Sequence, residues 1–189
     1  DLTIENNMHT VEYAGAQILL VGAGAQVDKV TISGGTYLKK HSYDTAFEFN
    51  AKCNAELKDI TVESLRCAVF TNDQFEGNLV ITDSKFTTDS LVALALYSGS
   101  TTLNNVEATT KSSNVIDNRN GSICNIYGGK YTTDSDFIPI VNANATMNIH
   151  GGTFEGSGTV IATTGTGTTT IDETASETVI RCNNKEVTY

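Results

Sequence analysis

Four side chains beyond the middle of the sequence have the chemistry needed to contact a sugar. Asn125 and Tyr127 alternate with apolar residues in the segment ICNIY, and Asn148 and His150 do so in the segment TMNIH, 23 residues later. Such alternation puts the polar residues on one face of a β-strand. Amide groups both donate to and accept from hydroxyls, and an aromatic ring packs against the face of a sugar ring. If the two segments lie side by side, we expect these four residues to form a glycan-contact patch.

Two carboxylates form a second candidate site. Asp59 and Asp83 each follow a short apolar-alternating segment and stand 24 positions apart. Stacked on neighbouring strands about 5 Å apart, they would repel each other, which raises a carboxyl pKa or recruits calcium. A retaining glycosidase also uses two carboxylates at about that distance. The alternative is a purely structural role, because Asp is common at tight corners. The sequence therefore predicts either a calcium site or a backbone corner here.

A repeat predicts the strands that would position these side chains. The segment MNIHGGTF, residues 147–154, has close copies in VTISGGTY, residues 30–37, and in ICNIYGGKY, residues 123–131. Weaker copies put an apolar anchor residue every 22 to 28 positions, a period typical of solenoid proteins. The anchors are Ile4, Ile32, Leu57, Ile81, Leu103, Ile126, Ile149 and Ile171.

Two more apolar groups follow each anchor, so each repeat is expected to form three short strands separated by bends. The second group points inward after a corner and comprises Tyr37, Val62, Phe86, Ala108, Tyr131 and Phe154. The third comprises Phe47, Phe49, Val69, Leu94, Leu96, Val115, Ile116, Ile138, Ile140, Val160, Ile161, Val179 and Ile180. No window has the period of an amphipathic helix. These patterns predict an all-β chain, a right-handed parallel β-helix of about eight rungs. We interpret residues 1–189 as a single β-helix domain, excised from a longer surface protein with flanking domains.

The net charge and the lack of a long apolar run argue against several classes of function, and the cysteine positions argue against disulfides. The net charge of −10 argues against nucleic acid, which binds basic surfaces, and against anionic lipid. The sequence has no apolar run of about 18 residues, so we expect no membrane insertion. The four cysteines occupy unmatched positions of the repeats, and because a disulfide needs close Cα atoms, we expect free thiols.

The rungs ISGGTY, IYGGKY and IHGGTF resemble the pectate-lyase-like right-handed β-helix superfamily. They are most similar to the adhesive β-helix repeats of large bacterial cell-surface proteins. The resemblance implies the coil and an extracellular or cell-surface location. It transfers no catalytic residue: Asp136 stands three residues before Pro139, where pectate lyases have Arg, and the Asp-Asp pair of polygalacturonases is absent.

These observations predict a non-catalytic module of an exported bacterial surface protein, an adhesin or stalk that contacts a host or environmental glycan or protein. No cofactor is expected except calcium at Asp59 and Asp83. The first alternative is a carbohydrate-active enzyme, a polysaccharide lyase or glycoside hydrolase, with Asp59, Asp83, Lys58 and Lys111 clustered in a groove. The second is a segment of a phage tail fibre or spike, which would form trimers.

Overall fold

The computed structural model describes residues 1–12, 17–41, 45–172, 178–182 and 185–186, with side chains described as far as residue 181. The described chain is all-β and contains no helix. Its strands are β1 (Leu2–Val11), β2 (Leu19–Val21), β3 (Lys29–Lys39), β4 (Thr45–Phe49), β5 (Asn54–Lys58), β6 (Thr61–Ser64), β7 (Cys67–Thr71), β8 (Asn78–Thr82), β9 (Lys85–Thr88), β10 (Leu94–Leu96), β11 (Ser100–Thr110), β12 (Ile116–Arg119), β13 (Ile123–Thr133), β14 (Ile140–Ala143), β15 (Thr146–Gly156), β16 (Ile161–Thr164), β17 (Thr168–Ile171), β18 (Thr178–Cys182) and β19 (Lys185–Glu186).

The anchor residues stack as the repeat predicts. Parallel pairings carry one register through β1, β3, β5, β8, β11, β13, β15 and β17, which we call the anchor ladder. Within it Ile32 lies beside Leu57, and Ile126 lies beside Ile149. The six inner anchors are at most 1% exposed, whereas the terminal anchors Ile4 and Ile171 are half-buried. The predicted parallel β-solenoid is therefore confirmed.

The second apolar group forms an adjoining aromatic ladder in the same twelve-stranded sheet. The long strands β1, β3, β11, β13 and β15 continue around the corner and contribute to both ladders, whereas β5 is separate from β6 and β8 from β9. All six predicted inward residues of this group are at most 1% exposed. The rings of Tyr131 and Phe154 stack at 5.1 Å.

The third apolar group forms a separate seven-stranded parallel sheet from β2, β4, β7, β10, β12, β14 and β16. Its inward residues complete the core; Phe47 lies beside Val69, and Leu94 beside Ile116. We call this sheet the third ladder.

The last turn departs from the predicted pattern. The sequence pattern predicts Val179 and Ile180 in the third group, but they lie in β18, where Ile180 pairs with Phe154 in the aromatic ladder. The chain then reverses into β19, which is antiparallel to β18, instead of continuing to the third ladder. The anchor ladder contains eight strands, whereas the third ladder contains seven. The coil therefore has slightly fewer complete turns than the eight rungs predicted.

The corner between the anchor and aromatic ladders explains the recurring Gly, Asn and Asp of the repeat. Asn6, Asp59, Asp83 and Asn105 adopt φ between 47° and 53° there, a left-handed conformation that Asn and Asp tolerate better than other side chains. A Cβ atom on Gly129 would lie 2.1 Å from the carbonyl oxygen of Val106 in the preceding turn. Only glycine permits such close approach of two backbones.

Three cysteines, Cys53, Cys67 and Cys124, are free and buried. Burial raises the pKa of the Cys67 and Cys124 thiols to about 12, so both are neutral and behave as small apolar side chains. The side chain of Cys182 lies outside the described residues.

No helix long and apolar enough to cross a bilayer occurs in the described segments.

The inward position of the anchors is tested by two neighbouring substitutions in β8. Ile81 is fully buried, whereas the adjacent Val80 is only half-buried on the outer face. We expect Ile81→Ala to lower the free energy of unfolding by about 2–5 kcal/mol, because it leaves a cavity in the core. Val80→Ala should cost under about 1 kcal/mol. Urea unfolding of both variants measures the difference, and equal losses would contradict the assigned faces.

A cluster of ion pairs connects β18 to the preceding turn, and it predicts that the stability of the fold depends on pH. Glu155 accepts hydrogen bonds from Lys130 at 2.8 Å and from Arg181 at 2.9 Å, and the Lys130 bond is the main reason that its pKa is lowered. A carboxyl whose pKa is lower in the folded state stabilises the fold above its unfolded pKa of about 4.3 and loses that contribution as the pH falls. Wild type should therefore exceed Glu155→Gln in stability at pH 7, and the difference should shrink below about pH 4.

Denaturant unfolding across this pH range measures the effect. Glu107→Gln is the matched control, because Glu107 pairs with Lys85 at 3.5 Å on the exposed surface, where an ion pair contributes little. A wild-type advantage over Glu155→Gln that stays constant down to pH 2 would show that the carboxylate charge is not what fastens β18.

Candidate functional site

The four residues predicted to contact a glycan meet on the outer face of the anchor ladder. Asn125 and Tyr127 come from β13, and Asn148 and His150 from β15, because these strands pair in parallel. The Asn148 amide nitrogen donates to the Asn125 side-chain oxygen at 2.9 Å. The rings of Tyr127 and His150 stack with centroids 4.5 Å apart and planes 5° apart. We call these four residues the amide–aromatic patch.

The Asn125–Asn148 contact limits what the amides still offer to a ligand. One Asn148 hydrogen is used by Asn125, and one Asn125 lone pair is used by Asn148. The side-chain nitrogen of Asn125 and the side-chain oxygen of Asn148 make no other hydrogen bond to the described residues. The pair therefore presents a donor at one end and an acceptor at the other, a match for vicinal hydroxyls.

The two rings of the patch are not both free to pack against a sugar, as the sequence analysis expected. His150 covers one face of the Tyr127 ring, so that face is closed to a sugar. Tyr127 is nevertheless 48% exposed, so about half of this residue remains open to a ligand. The β13–β15 pairing shifts register between Ile126 and Tyr127, and such irregularities change the direction of a side chain.

Asp172 adds a charge to this patch that the sequence did not assign to it. Asp172 follows β17, one turn of the coil after β15. Its carboxylate lies 3.8 Å from Nδ1 of His150. The repeat predicts Asp172 in the same outer column as Tyr127 and His150, so its nearness could have been inferred. Its charge gives the patch an acceptor for a ligand hydroxyl or amine.

Asp59 and Asp83 lie at the corner between the anchor and aromatic ladders, with φ of 53° and 47°. Their backbone N–H groups donate to the carbonyl oxygens of Thr82 and Asn104. The Asp83 carboxylate also accepts a hydrogen bond of 2.8 Å from the Asn105 side chain. Among the described residues, no group of three or more His, Cys, Asp or Glu side chains is placed to hold a metal ion. The geometry accounts for both residues through the backbone, and calcium binding stays a prediction.

A charged groove of about 340 Å³ lies where the aromatic ladder ends. It is lined by Lys39, Lys40, Glu63, Asp89 and Lys111 among others. Lys111 pairs with Asp89 at 2.6 Å, and this hydrogen bond raises the lysine pKa. Of the four residues suggested for an enzyme, only Lys111 lines this groove. Lys58 is at the end of β5, and the two aspartates are at the corner.

Comparisons of the chain with profiles of known protein families, with curated proteins and with solved structures found no match.

The corner role of Asp83 is tested by substitutions that separate backbone shape from charge. Asp83→Asn keeps a side chain suited to positive φ and should change stability by less than about 0.5 kcal/mol. Asp83→Val puts a branched side chain in the same conformation and should cost about 1–3 kcal/mol. Thermal unfolding with calcium and with a chelator completes the test. A melting temperature raised by calcium in wild type, but not in Asp83→Asn, would instead identify an ion site.

Proposed function

We propose that this chain is a non-catalytic β-solenoid module of an exported bacterial surface protein that binds glycan through the amide–aromatic patch. The observation that carries the proposal is the pairing of Asn125 with Asn148 directly beside the stacked Tyr127 and His150. Hydrogen-bonding amides next to a half-exposed ring are the chemistry that sugar recognition uses. The patch lies on a pleated outer face, where a chain of sugars can run across the stacked turns.

Charge narrows the ligand class. The chain carries a net charge of −10, and Asp172 adds a carboxylate at the patch itself. A polyanionic glycan would be repelled. The proposed ligand is therefore a neutral or amino-substituted glycan of a host or environmental surface.

The resemblance of the GGT-aromatic rungs to adhesive β-helix repeats supports the setting of the proposal. In that setting the module acts extracellularly or at the cell surface, as an adhesin or stalk flanked by other domains.

A polysaccharide lyase or glycoside hydrolase is the second candidate, and the charged groove favours it. Lys111 lies between acidic neighbours there, since Asp89, Asp134 and Glu63 all act to raise its pKa. The groove brings amines and carboxylates together, and these are side-chain types from which such enzymes draw a general acid and a general base. A reducing-sugar assay on a panel of polysaccharides distinguishes this candidate, because a binding module releases no product.

Glycan binding is tested with an array of neutral, amino-substituted and acidic glycans. We expect wild type to be retained on neutral or amino-substituted glycans, and Asn148→Ala and His150→Ala each to reduce retention about tenfold, because each removes a polar contact or the support of Tyr127.

The matched control is Asn78→Ala. Asn78 donates to Asn54 at 3.2 Å in an exposed amide pair elsewhere on the coil, so this variant loses the same chemistry away from the patch. Undiminished retention of both patch variants, or equal loss in Asn78→Ala, would remove the patch from the binding site.

A further inference from the structure

A second apolar cluster lies outside the core of the coil, on the outer face of the third ladder. Cys67, Val92 and Ala95 are at most 6% exposed, and the half-buried Phe70 and Tyr97 pack against them. Outer faces of solenoid strands are normally polar, and buried apolar side chains there need another explanation. Here they form the floor and walls of a groove of about 290 Å³.

The groove arises from one small residue in an outward column. Parallel pairing aligns Glu48, Phe70, Ala95 and Asp117 on four successive turns. Ala95 leaves a gap between the larger side chains on either side. The groove is just smaller than the range for drug-sized ligands, which begins at about 300 Å³, so its volume suits a smaller molecule.

The aromatic wall is held in one orientation. The Tyr97 hydroxyl lies 3.3 Å from the Asp117 carboxylate, which pairs with Arg119 at 2.6 Å. The Arg119 guanidinium lies 5.6 Å from the centre of the Tyr97 ring, and Phe70 meets that ring edge-on at 5.2 Å. A ligand would thus meet a preformed surface and lose little affinity to ordering it.

Two opposite charges line this apolar groove. Arg66 is exposed and forms no ion pair within the described part of the chain. Glu48 accepts hydrogen bonds from the side chains of Gln17 at 3.1 Å and Asn72 at 3.3 Å, which fix its carboxylate. Cys67 is neutral because burial raises its thiol pKa to about 12. The lining therefore offers one cation and one anion around an apolar floor.

From this arrangement we infer that the groove binds a free amino acid with an apolar or aromatic side chain. Arg66 pairs with the ligand carboxylate, Glu48 pairs with its ammonium group, and the side chain packs over Ala95 against the rings of Phe70 and Tyr97. A zwitterionic ligand pairs with both lining charges at once, whereas a ligand with a single charge pairs with only one of them. This site is separate from the amide–aromatic patch and independent of glycan binding.

Calorimetric titration with L-phenylalanine and three analogues tests the site in the whole chain. N-acetyl-L-phenylalanine lacks the ammonium group, L-phenylalaninamide lacks the carboxylate, and glycine lacks the side chain. We expect saturable binding of phenylalanine, weakened about tenfold or more for each analogue, because charge-assisted hydrogen bonds or apolar contacts are lost.

Substitutions of the lining residues test which residue binds the ligand carboxylate and which binds its ammonium group. Arg66→Gln should remove the preference for phenylalanine over its amide, and Glu48→Gln should remove the preference over the N-acetyl form. Ala95→Leu should block binding by filling the gap while leaving the inner face intact. Lys58→Gln is the control, because it removes a cation from the anchor ladder and should change nothing.

Two results would overturn the assignment. One is the absence of saturable phenylalanine binding to wild type. The other is a preference among the four probes that Arg66→Gln and Glu48→Gln leave unchanged. Circular dichroism of each variant confirms that a lost preference does not come from unfolding.

Discussion

The parallel backbone hydrogen bonds between successive turns are the constraint on which the rest of this molecule depends. They fix neighbouring strands about 4.8 Å apart and bring each residue beside its counterpart one repeat away. Every position of the repeat therefore becomes a column along the coil. Inward columns must be apolar or internally hydrogen-bonded, and corner columns must tolerate unusual backbone angles. Outer columns bring the side chains at equivalent positions of successive repeats together, so the sequence period determines which surface residues meet.

Columns explain why much of this architecture was predictable from sequence. Ile126 and Ile149 were expected to stack inside, and they do, because alternating apolar residues and corner glycines recur at a nearly constant interval. The same alignment predicted that Asn125 would meet Asn148 and that Tyr127 would meet His150. That expectation needed only the repeat and the alternation of strand faces.

Other features were not predictable, for reasons that are local and physical. Ile180 has the pattern of a third-ladder residue but lies in the aromatic ladder. Residues 172–180 lack the Gly-Gly-Thr corner that marks the aromatic ladder in the better copies of the repeat, so the pattern does not distinguish the two ladders there. The ring stacking of Tyr127 depends on side-chain rotamers, which the repeat does not specify.

Asn118 and Asn142 lie inside the coil, although Asn is usually a surface residue. They are tolerated because the Asn118 side chain donates to the Asn142 side-chain oxygen at 2.9 Å, and such hydrogen bonds offset the hydration that a buried amide loses. The groove beside Ala95 was missed because it depends on the small size of one outward residue.

The antiparallel strand β19 has a consequence for self-association. A solenoid ladder that stops at a parallel strand leaves a row of unsatisfied N–H and C=O groups, onto which another chain can add in the same direction. At the end of the aromatic ladder, β19 runs opposite to β18. A further strand that extended the coil in its own direction would find this edge occupied by reversed backbone. Over Arg181 and Cys182, the two residues of β18 that pair with β19, the hairpin thus blocks the addition of a parallel strand, and opening it would expose that part of the edge to another chain.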